Sequence, residues 1–312
     1  DFDCIIGMSG GIDSSYLTYY ATKVLGLRPL VFHVDAGWNS DLAVSNIEKI
    51  VDKLNLDLYT HVVPWHEMRD LQLSFFKSGV SHIDAPQDHA FFATLYKFAS
   101  KHNIKYILTG GNISSEGVRN PVNWMYYQSD SVQIKDIHNK YGQQPLVEFP
   151  FTNILWHKIY LPYIRRIKLL RPLDYLYYSK DDAKQLLVDE FAWTPYPQKH
   201  FESRFTRFYE SYWLPKRFGY DVRKVQFSSL ILTGQMSRSE ALAELNNPPW
   251  DPSTIDTDID FVCKKLQISL SDFDEFLNSP LKYFSDYKSL ARLYDVGAYF
   301  ARLSGLLTGT KR

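Results

Sequence analysis

The stretch GMSGGIDSSY, residues 7–16, decides how the first half of the chain is read. It follows DFDCIIG, in which Cys4, Ile5 and Ile6 form a short apolar run closed by Gly7. Such a run between turn residues reads as a strand buried on both faces. After it comes DSSYLTYYATKVLGLRP, where Leu17, Tyr20, Ala21, Val24 and Leu25 recur at helical spacing until Gly26 and Pro29 stop them. The quoted residues are therefore a turn from strand to helix, with Ser9, Gly10, Gly11 and Ser14 around one carboxylate, Asp13. Two glycines let backbone approach a ligand closely, and the first amides of the helix point at whatever sits there, most often phosphate. Many such turns are rich in Gly and Ser for conformational reasons alone, so the surroundings must decide.

No lysine follows the glycines as in G-x-x-x-x-G-K-S/T, so this is not a Walker loop, and the absence of G-x-G-x-x-G weakens a dinucleotide reading. SGGIDS resembles instead the pyrophosphate-binding loop (PP-loop) of the N-type ATP pyrophosphatases. That superfamily includes asparagine, GMP and NAD synthetases and several tRNA-modifying enzymes. The motif is complete from Ser9 to Ser14 and stands directly after the first strand. The resemblance implies ATP as substrate, a carbonyl oxygen that is adenylylated, pyrophosphate expelled, and AMP displaced by a nitrogen or sulfur nucleophile. Ser9, Gly10, Gly11, Asp13 and Ser14 are then the phosphate-binding residues, with Asp13 catalytic as well.

The first half continues as strand and helix in turn. PLVFHVDAG (29–37), LDLYTHVV (56–63) and IKYILTGG (104–111) read as strands; LAVSNIEKIVDKLN, MRDLQLSFFKSG and QDHAFFATLYKFASKHN (87–103) read as helices. This order predicts an α/β fold, a Rossmann-like parallel sheet with helices on both faces. Ligands in such sheets lie beyond the carboxyl ends of the strands, here Ser9–Ser14, Asp35–Trp38, Pro64–His66 and Gly110–Glu116. Asp35 either caps the next segment or contacts nucleotide. In LTGGNISSEG, Gly110 and Gly111 permit close backbone approach, while Asn112 and Glu116 offer oxygens. Mg²⁺ on ATP phosphates takes one or two carboxylates, and Asp13 with Glu116 is the expected pair. Asp88 of DAPQDHA is either a first-turn charge on a helix or a catalytic group.

Composition suits an enzyme of the cytoplasm. Lys+Arg and Asp+Glu both number 35 among 312 residues, and a net charge of zero argues against a nucleic-acid partner. No apolar stretch reaches the roughly 20 residues of a membrane span. The chain begins directly on its first strand without a signal segment, as a trimmed chain would. The two cysteines, Cys4 and Cys263, have no Cys or His at metal-ligand spacing. IRRIKLLRP holds the richest cationic cluster, Arg165, Arg166, Lys168 and Arg171, either a solvated helix face or an anion site. The stretch 112–160 has weak periodicity, which favours a functional insertion or lid. Within it Trp124, Tyr126 and Tyr127 either stack on a sugar or uracil ring or pack against the protein.

From about residue 179 alternation ends and helix start signals recur: Ser179 with Asp182, Ser237 with Glu240, Ser271 with Asp274. A division follows, with an α/β domain over 1–178 and a mainly helical C-terminal region over 179–312 that contributes to the active site. PQKHFESRFTRFYESYWLPKRFGYD (197–221) mixes cations and aromatics densely. Lys199 and Arg204 are candidate catalytic cations for the leaving pyrophosphate, with Arg207, Lys216 and Trp124 as candidate substrate contacts. A basic aromatic helix packed on the sheet has the same composition.

This segment, followed by SSLILTGQMSRSEAL, resembles the C-terminal signature of the N-acetyl sugar amidotransferases of bacterial lipopolysaccharide and related surface-sugar pathways. HVDAGWNSDLAVSNI, APQDHA, LTGGNISSEG and LRPLDYLYYSKDDA fit the same family. The resemblance implies that an N-acetyl group on a nucleotide-linked sugar, typically a UDP-2,3-diacetamido uronic acid, becomes an acetamidino group. It implies ammonia supplied by a separate glutaminase subunit with a cyclase-like subunit. It also implies a cysteine-rich, zinc-binding segment ahead of the PP-loop that this sequence does not contain. A glutaminase needs an accessible cysteine beside a histidine, and neither Cys4, in a buried strand, nor Cys263, on a helix, offers one. Three other readings remain: a PP-loop tRNA sulfurtransferase or thiolase, a glutamine-independent synthetase, and a non-catalytic ATP-binding subunit. Neutral charge and the missing catalytic cysteine oppose the first, and two metal-ready carboxylates oppose the last.

Overall fold

The computed structural model describes residues 2–196 and 201–303. Five parallel strands form one sheet: β1 (Cys4–Gly7), β2 (Pro29–Asp35), β3 (Leu58–Val62), β4 (Tyr106–Leu108) and β5 (Lys168–Leu170). Their order is β3-β2-β1-β4-β5. The sequence direction reverses at β1, so the crevice between the carboxyl ends of β1 and β4 is the place where such sheets bind ligands. The apolar runs predicted as central strands are central: Cys4, Ile5 and Ile6 are buried and pair with Pro29, Leu30 and Val31 on one side, while Ile5 and Ile6 pair with Ile107 and Leu108 on the other.

The helices between strands are α1 (Ile12–Tyr19), α2 (Asp41–Leu54), α3 (Trp65–Ser78), α4 (Ala85–Lys101), α5 (Ile113–Glu116) and α6 (Ser131–Tyr141). α1 runs on through a wider π turn over Tyr20–Val24. Ser40 caps α2 by accepting from the Ala43 amide at 3.1 Å, and Asn55 ends it in the left-handed region. β5 corrects the sequence reading of IRRIKLLRP, because its Lys168–Leu170 form an edge strand on β4 rather than a helix face. Leu169 and Leu170 are exposed there, which is why no burial pattern marked them.

After β5 come α7 (Lys180–Phe191), α8 (Arg204–Phe208), α9 (Arg223–Leu232), α10 (Arg238–Leu245), α11 (Ile255–Leu266), α12 (Leu270–Asn278) and α13 (Ala291–Leu303). α8 continues as a π helix over Tyr209–Phe218, which accommodates Pro215 inside it. The capping box of Ser237 and Glu240 is present, with both bonds made. At α7 only half is made, from the Asp182 amide to Ser179 Oγ at 3.3 Å. The third box is Ser269 with Asp272, not Ser271 with Asp274, since α12 starts two residues earlier than read.

One core joins the sheet to the C-terminal helices: Ile5, Phe32, Phe76 and Ile107 belong to the same buried cluster as Phe205, Phe208, Trp213 and Val262. The weakly periodic stretch after β4 is anchored on α3 by buried carboxylates. Glu67 accepts from the amides of Val147, Glu148 and Phe149 at 2.7–3.1 Å. Asp70 accepts from those of Gln143 and Gln144 at 3.0–3.1 Å. Tertiary bonds to backbone thus replace the apolar periodicity that sequence reading looks for. Among the described residues no helix is long and apolar enough to cross a membrane.

Candidate active site

At the crevice between β1 and β4 lies a cleft of about 390 Å³. Its floor is Gly7, Ser9, Gly11, Ile12, Asp13 and Ser14, with Gly110, Gly111 and Glu116 beside them. The first helical residues of α1 are Ile12, Asp13 and Ser14, whose amides have no carbonyl partner within the helix and whose dipole favours an anion. Ser9 and Ser14 hold the turn: Ser9 Oγ accepts from the Gly11 amide, and Ser14 Oγ donates to the Gly11 carbonyl, at 3.3 and 3.2 Å. The sequence-predicted loop is therefore assembled and faces the cleft.

The glycines have separate duties. Gly10 has φ +83°, and a Cβ there would stand 2.6 Å from the Ala43 carbonyl oxygen of α2. Its own carbonyl receives Trp193 Nε1 at 3.1 Å and Tyr196 Oη at 3.3 Å. Gly10 thus serves packing beneath the loop and is absent from the cleft wall, a correction to its reading as a phosphate contact. Gly11 does face the cleft, and a Cβ on it would meet the Glu202 carboxylate at 2.8 Å. Gly110 lets the loop after β4 touch the loop after β1, because a Cβ on it would lie 2.8 Å from the Ser14 amide nitrogen.

Asp13 and Glu116 share the cleft. Tyr178 Oη donates to Asp13 Oδ1 at 2.6 Å, fixing one oxygen and leaving the other for a cation. Burial, and then the nearby Asp13, pushes the Tyr178 phenol far above its ordinary value, so it stays a donor. Glu116 stands 3.8 Å from Arg171, and both are partly exposed. Two hard carboxylates flanking a phosphate-sized cradle fit Mg²⁺ carried by ATP, which needs few protein ligands. Among the described residues, no three His, Cys, Asp or Glu side chains are grouped to hold a metal by themselves.

Two further candidates for the nucleotide are placed otherwise. Asp35 accepts from the Gly37 amide at 2.7 Å and caps its own turn. Asn112 is fully buried and caps α5, accepting from the Ser115 amide at 3.0 Å. Neither lines the cleft.

The cations are also redistributed. Lys199 lies outside the described residues. Arg204 sits 3.6 Å from Asp258 and 3.5 Å over the Phe261 ring, and Arg207 bonds the same Asp258. Lys216 is exposed on the π helix and, like these two, does not line the cleft. Trp124 stacks on Tyr220 at 4.9 Å and 13°, so of its two readings packing is the one observed. For Arg204 and Arg207 the cause is shared: aromatic neighbours and the buried Asp258 satisfy both locally, as in any packed helix pair. Arg204→Ala is accordingly expected to lower Tm by several degrees while kcat per folded molecule stays within about twofold of wild type; a kcat loss at unchanged Tm contradicts this placement.

In their stead, Lys180 and Lys184 of α7 face the PP-loop across the cleft, with Asp181 between them. Spaced four apart, they share one helix face. Gln235 holds the start of α7, accepting from the Lys180 amide at 3.1 Å and donating to the Tyr178 carbonyl at 3.0 Å. Trp193, Pro195 and Tyr196 form an apolar wall, and Glu202 closes the remaining side with its carboxylate 3.3 Å from Ser9 Oγ. Sequence reading missed Tyr178, Lys180, Lys184, Trp193 and Tyr196. The available signal was the i, i+4 lysine pair just after a capping serine, on a helix starting at the edge of the proposed domain boundary.

The segment that carries Glu202 and Gln235 also carries a family signature. Residues 202–300 match the WbpG-like family. The matching description is "LPS biosynthesis protein WbpG-like, C-terminal domain". The C-terminal segment is thus similar to a lipopolysaccharide-biosynthesis domain, as its resemblance in sequence implied. No curated protein matches the chain by sequence. Among solved structures, the NH3-dependent NAD synthetase of Campylobacter jejuni aligns with 89% of this chain and 88% of its own, at 14% identity and TM-score 0.37. The U34-tRNA thiolase of Methanococcus maripaludis aligns over 76% and 73%, at 12% identity and TM-score 0.34. The NMN synthetase of Francisella tularensis aligns over 77% and 86%, at 15% identity and TM-score 0.31. These likenesses are too distant to assign a reaction to this chain. In the WbpG-like segment, Glu202 contributes to the cleft directly and Gln235 by holding α7.

Proposed function

We propose that the chain is an ATP-dependent amidotransferase of lipopolysaccharide or related surface-sugar biosynthesis. ATP adenylylates the N-acetyl carbonyl oxygen of a nucleotide-linked sugar, a UDP-2,3-diacetamido uronic acid in the first instance, and ammonia displaces AMP to leave an acetamidino group. The observation that carries the reading is the complete Ser9–Ser14 cradle at the β1/β4 crevice, facing Lys180 and Lys184, in a chain whose C-terminal segment is WbpG-like. Helix amides and the two lysines bind phosphate oxygens and stabilise the charge that pyrophosphate acquires on leaving. Asp13 and Glu116 would hold the Mg²⁺ that accompanies ATP, which would supply charge neutralisation on the phosphates. Tyr178 orients Asp13 by donating to its Oδ1. The aromatic wall of Trp193 and Tyr196 suits a nucleoside ring.

Ammonia comes, in this reading, from a glutaminase partner and its cyclase-like companion. Burial and then Asp3 push the Cys4 thiol up to about 12, and burial followed by Asp260 pushes Cys263 up to about 11. Neither is a thiolate near neutrality, which supports a need for a partner. Pyrophosphate release from ATP, tested with a panel of nucleotide sugars and ammonium, distinguishes this reading from a sensor, which releases none. The isolated chain is expected to turn over with ammonium salts but not with glutamine. Cys4→Ser and Cys263→Ser are each expected to keep the ammonium-dependent rate within about twofold. Glutamine hydrolysis abolished by either substitution contradicts the two-component arrangement.

A further inference from the structure

Glu202 closes the cleft beside the PP-loop, and the fold fixes its backbone there. Asn39 and Ser203 form an antiparallel bridge. On either side of it the Ser40 amide donates to the Glu202 carbonyl and the Arg204 amide to the Trp38 carbonyl, each at 2.9 Å. Ser203 then caps α8 by accepting from the Thr206 amide at 3.2 Å. Glu202 is thus tied to the turn between β2 and α2, the helix on which Gly10 packs. Its half-buried side chain reaches back over the PP-loop.

The carboxylate rests where an anion is expected. Oε1 lies 3.3 Å from Ser9 Oγ and 2.8 Å from where a Cβ on Gly11 would stand. The Ser9 hydroxyl hydrogen has two acceptors in reach, Glu202 Oε1 and Ser14 Oγ, both at 3.3 Å, and the carboxylate is the stronger. Directly after Gly11 come the first amides of α1. A negative oxygen on a hydroxyl at a helix N-terminus is the arrangement a phosphate oxygen takes there. Lys180 and Lys184 line the same cleft. Glu202 is therefore an anion of the protein's own, in the seat that the reading above gives to phosphate. It is not a third metal ligand with Asp13 and Glu116, because among the described residues no three such side chains are grouped to hold a metal.

We infer that Glu202 competes with phosphate for the PP-loop cradle and so drives pyrophosphate out; this rests on the reading of the cradle as a phosphate site. Entering ATP takes over the Ser9 hydroxyl, and like charge turns the carboxylate aside. The side chain rotates while the backbone stays on its bridge to Asn39. ATP withstands this competition because its adenosine is held as well as its phosphates. Pyrophosphate, cut from the adenosine, has the phosphate contacts alone, and the returning carboxylate displaces it. Glu202 touches no reacting atom in this role; it acts on release.

The test is calorimetric binding of pyrophosphate and of ATP to the whole chain, with and without Mg²⁺, for wild type and Glu202→Gln. Glutamine keeps the length and a partner for Ser9 while removing the charge. Without Mg²⁺, Glu202→Gln is expected to bind pyrophosphate about tenfold more tightly than wild type. The gap should narrow as salt is raised, because screening weakens a charge effect and leaves a packing effect alone. Titrations run well below the Tm of each protein, so a variant that melts earlier still reports on the folded cradle. Pyrophosphate affinity that is unchanged or weaker in Glu202→Gln overturns the inference, and a weakening confined to Mg²⁺ makes Glu202 a metal ligand instead. If neither protein binds ATP or pyrophosphate, the phosphate reading of the cradle falls. Binding to wild type with no gain in Glu202→Gln keeps that reading and removes only the role of Glu202.

Discussion

Lys184→Ala is expected to lower kcat for pyrophosphate release by about 10–10²-fold, with KM for ATP nearly unchanged. As the α–β bridging oxygen departs, negative charge builds on pyrophosphate beyond what bound ATP carries, so a cation placed there acts on the transition state. Lys184 faces the PP-loop from one turn inside α7, beside Lys180. Removing a preorganised donor typically costs about 10²–10³. The lower figure is chosen because Lys184 is exposed and water screens part of its charge. Lys184→Arg should recover part of the rate, and Tm should not move for either variant, since the side chain supports no buried contact. An unchanged kcat in Lys184→Ala, measured at saturating ATP, removes α7 from the chemistry.

The PP-loop glycines provide the second large effect, and they should fail in different ways. Gly10→Val is expected to cost roughly 2–5 kcal/mol of stability, from a left-handed backbone at φ +83° and a Cβ driven to 2.6 Å from a backbone oxygen of α2. That is a large share of the ~5–15 kcal/mol that holds a domain folded. Lost activity in this variant therefore reports lost fold. Gly11 has φ −72°, which any residue adopts, and the atom its Cβ would meet is the movable end of Glu202. Gly11→Ala should keep the wild-type Tm while weakening ATP at least about tenfold, because the new methyl fills the cradle rather than the core. Thermal melting and nucleotide binding on the same preparations distinguish the two. If Gly11→Ala binds ATP as wild type does, phosphate does not approach the loop there.

The sequence by itself determined the sheet's centre and the loop at its edge. Ile5, Ile6, Val31 and Ile107 are buried whichever way the helices pack, so their runs announce central strands. The turn from β1 to α1 is local, which is why SGGIDS could be read as a cradle before any contact was known. β5 escaped because an edge strand of three residues with exposed leucines has no burial pattern to display. Only the tertiary structure decided which charges serve the cleft. Arg204 and Lys184 are indistinguishable as sequence, each a cation on a helix. One is satisfied by Asp258 and Phe261 and the other faces the PP-loop. Likewise Gly10 and Gly11 are adjacent and alike until α2 is packed against one and the cleft is opened beside the other. A helix's spacing tells which residues share a face, but what that face meets depends on contacts between residues far apart in the chain, and those exist only once the chain has folded.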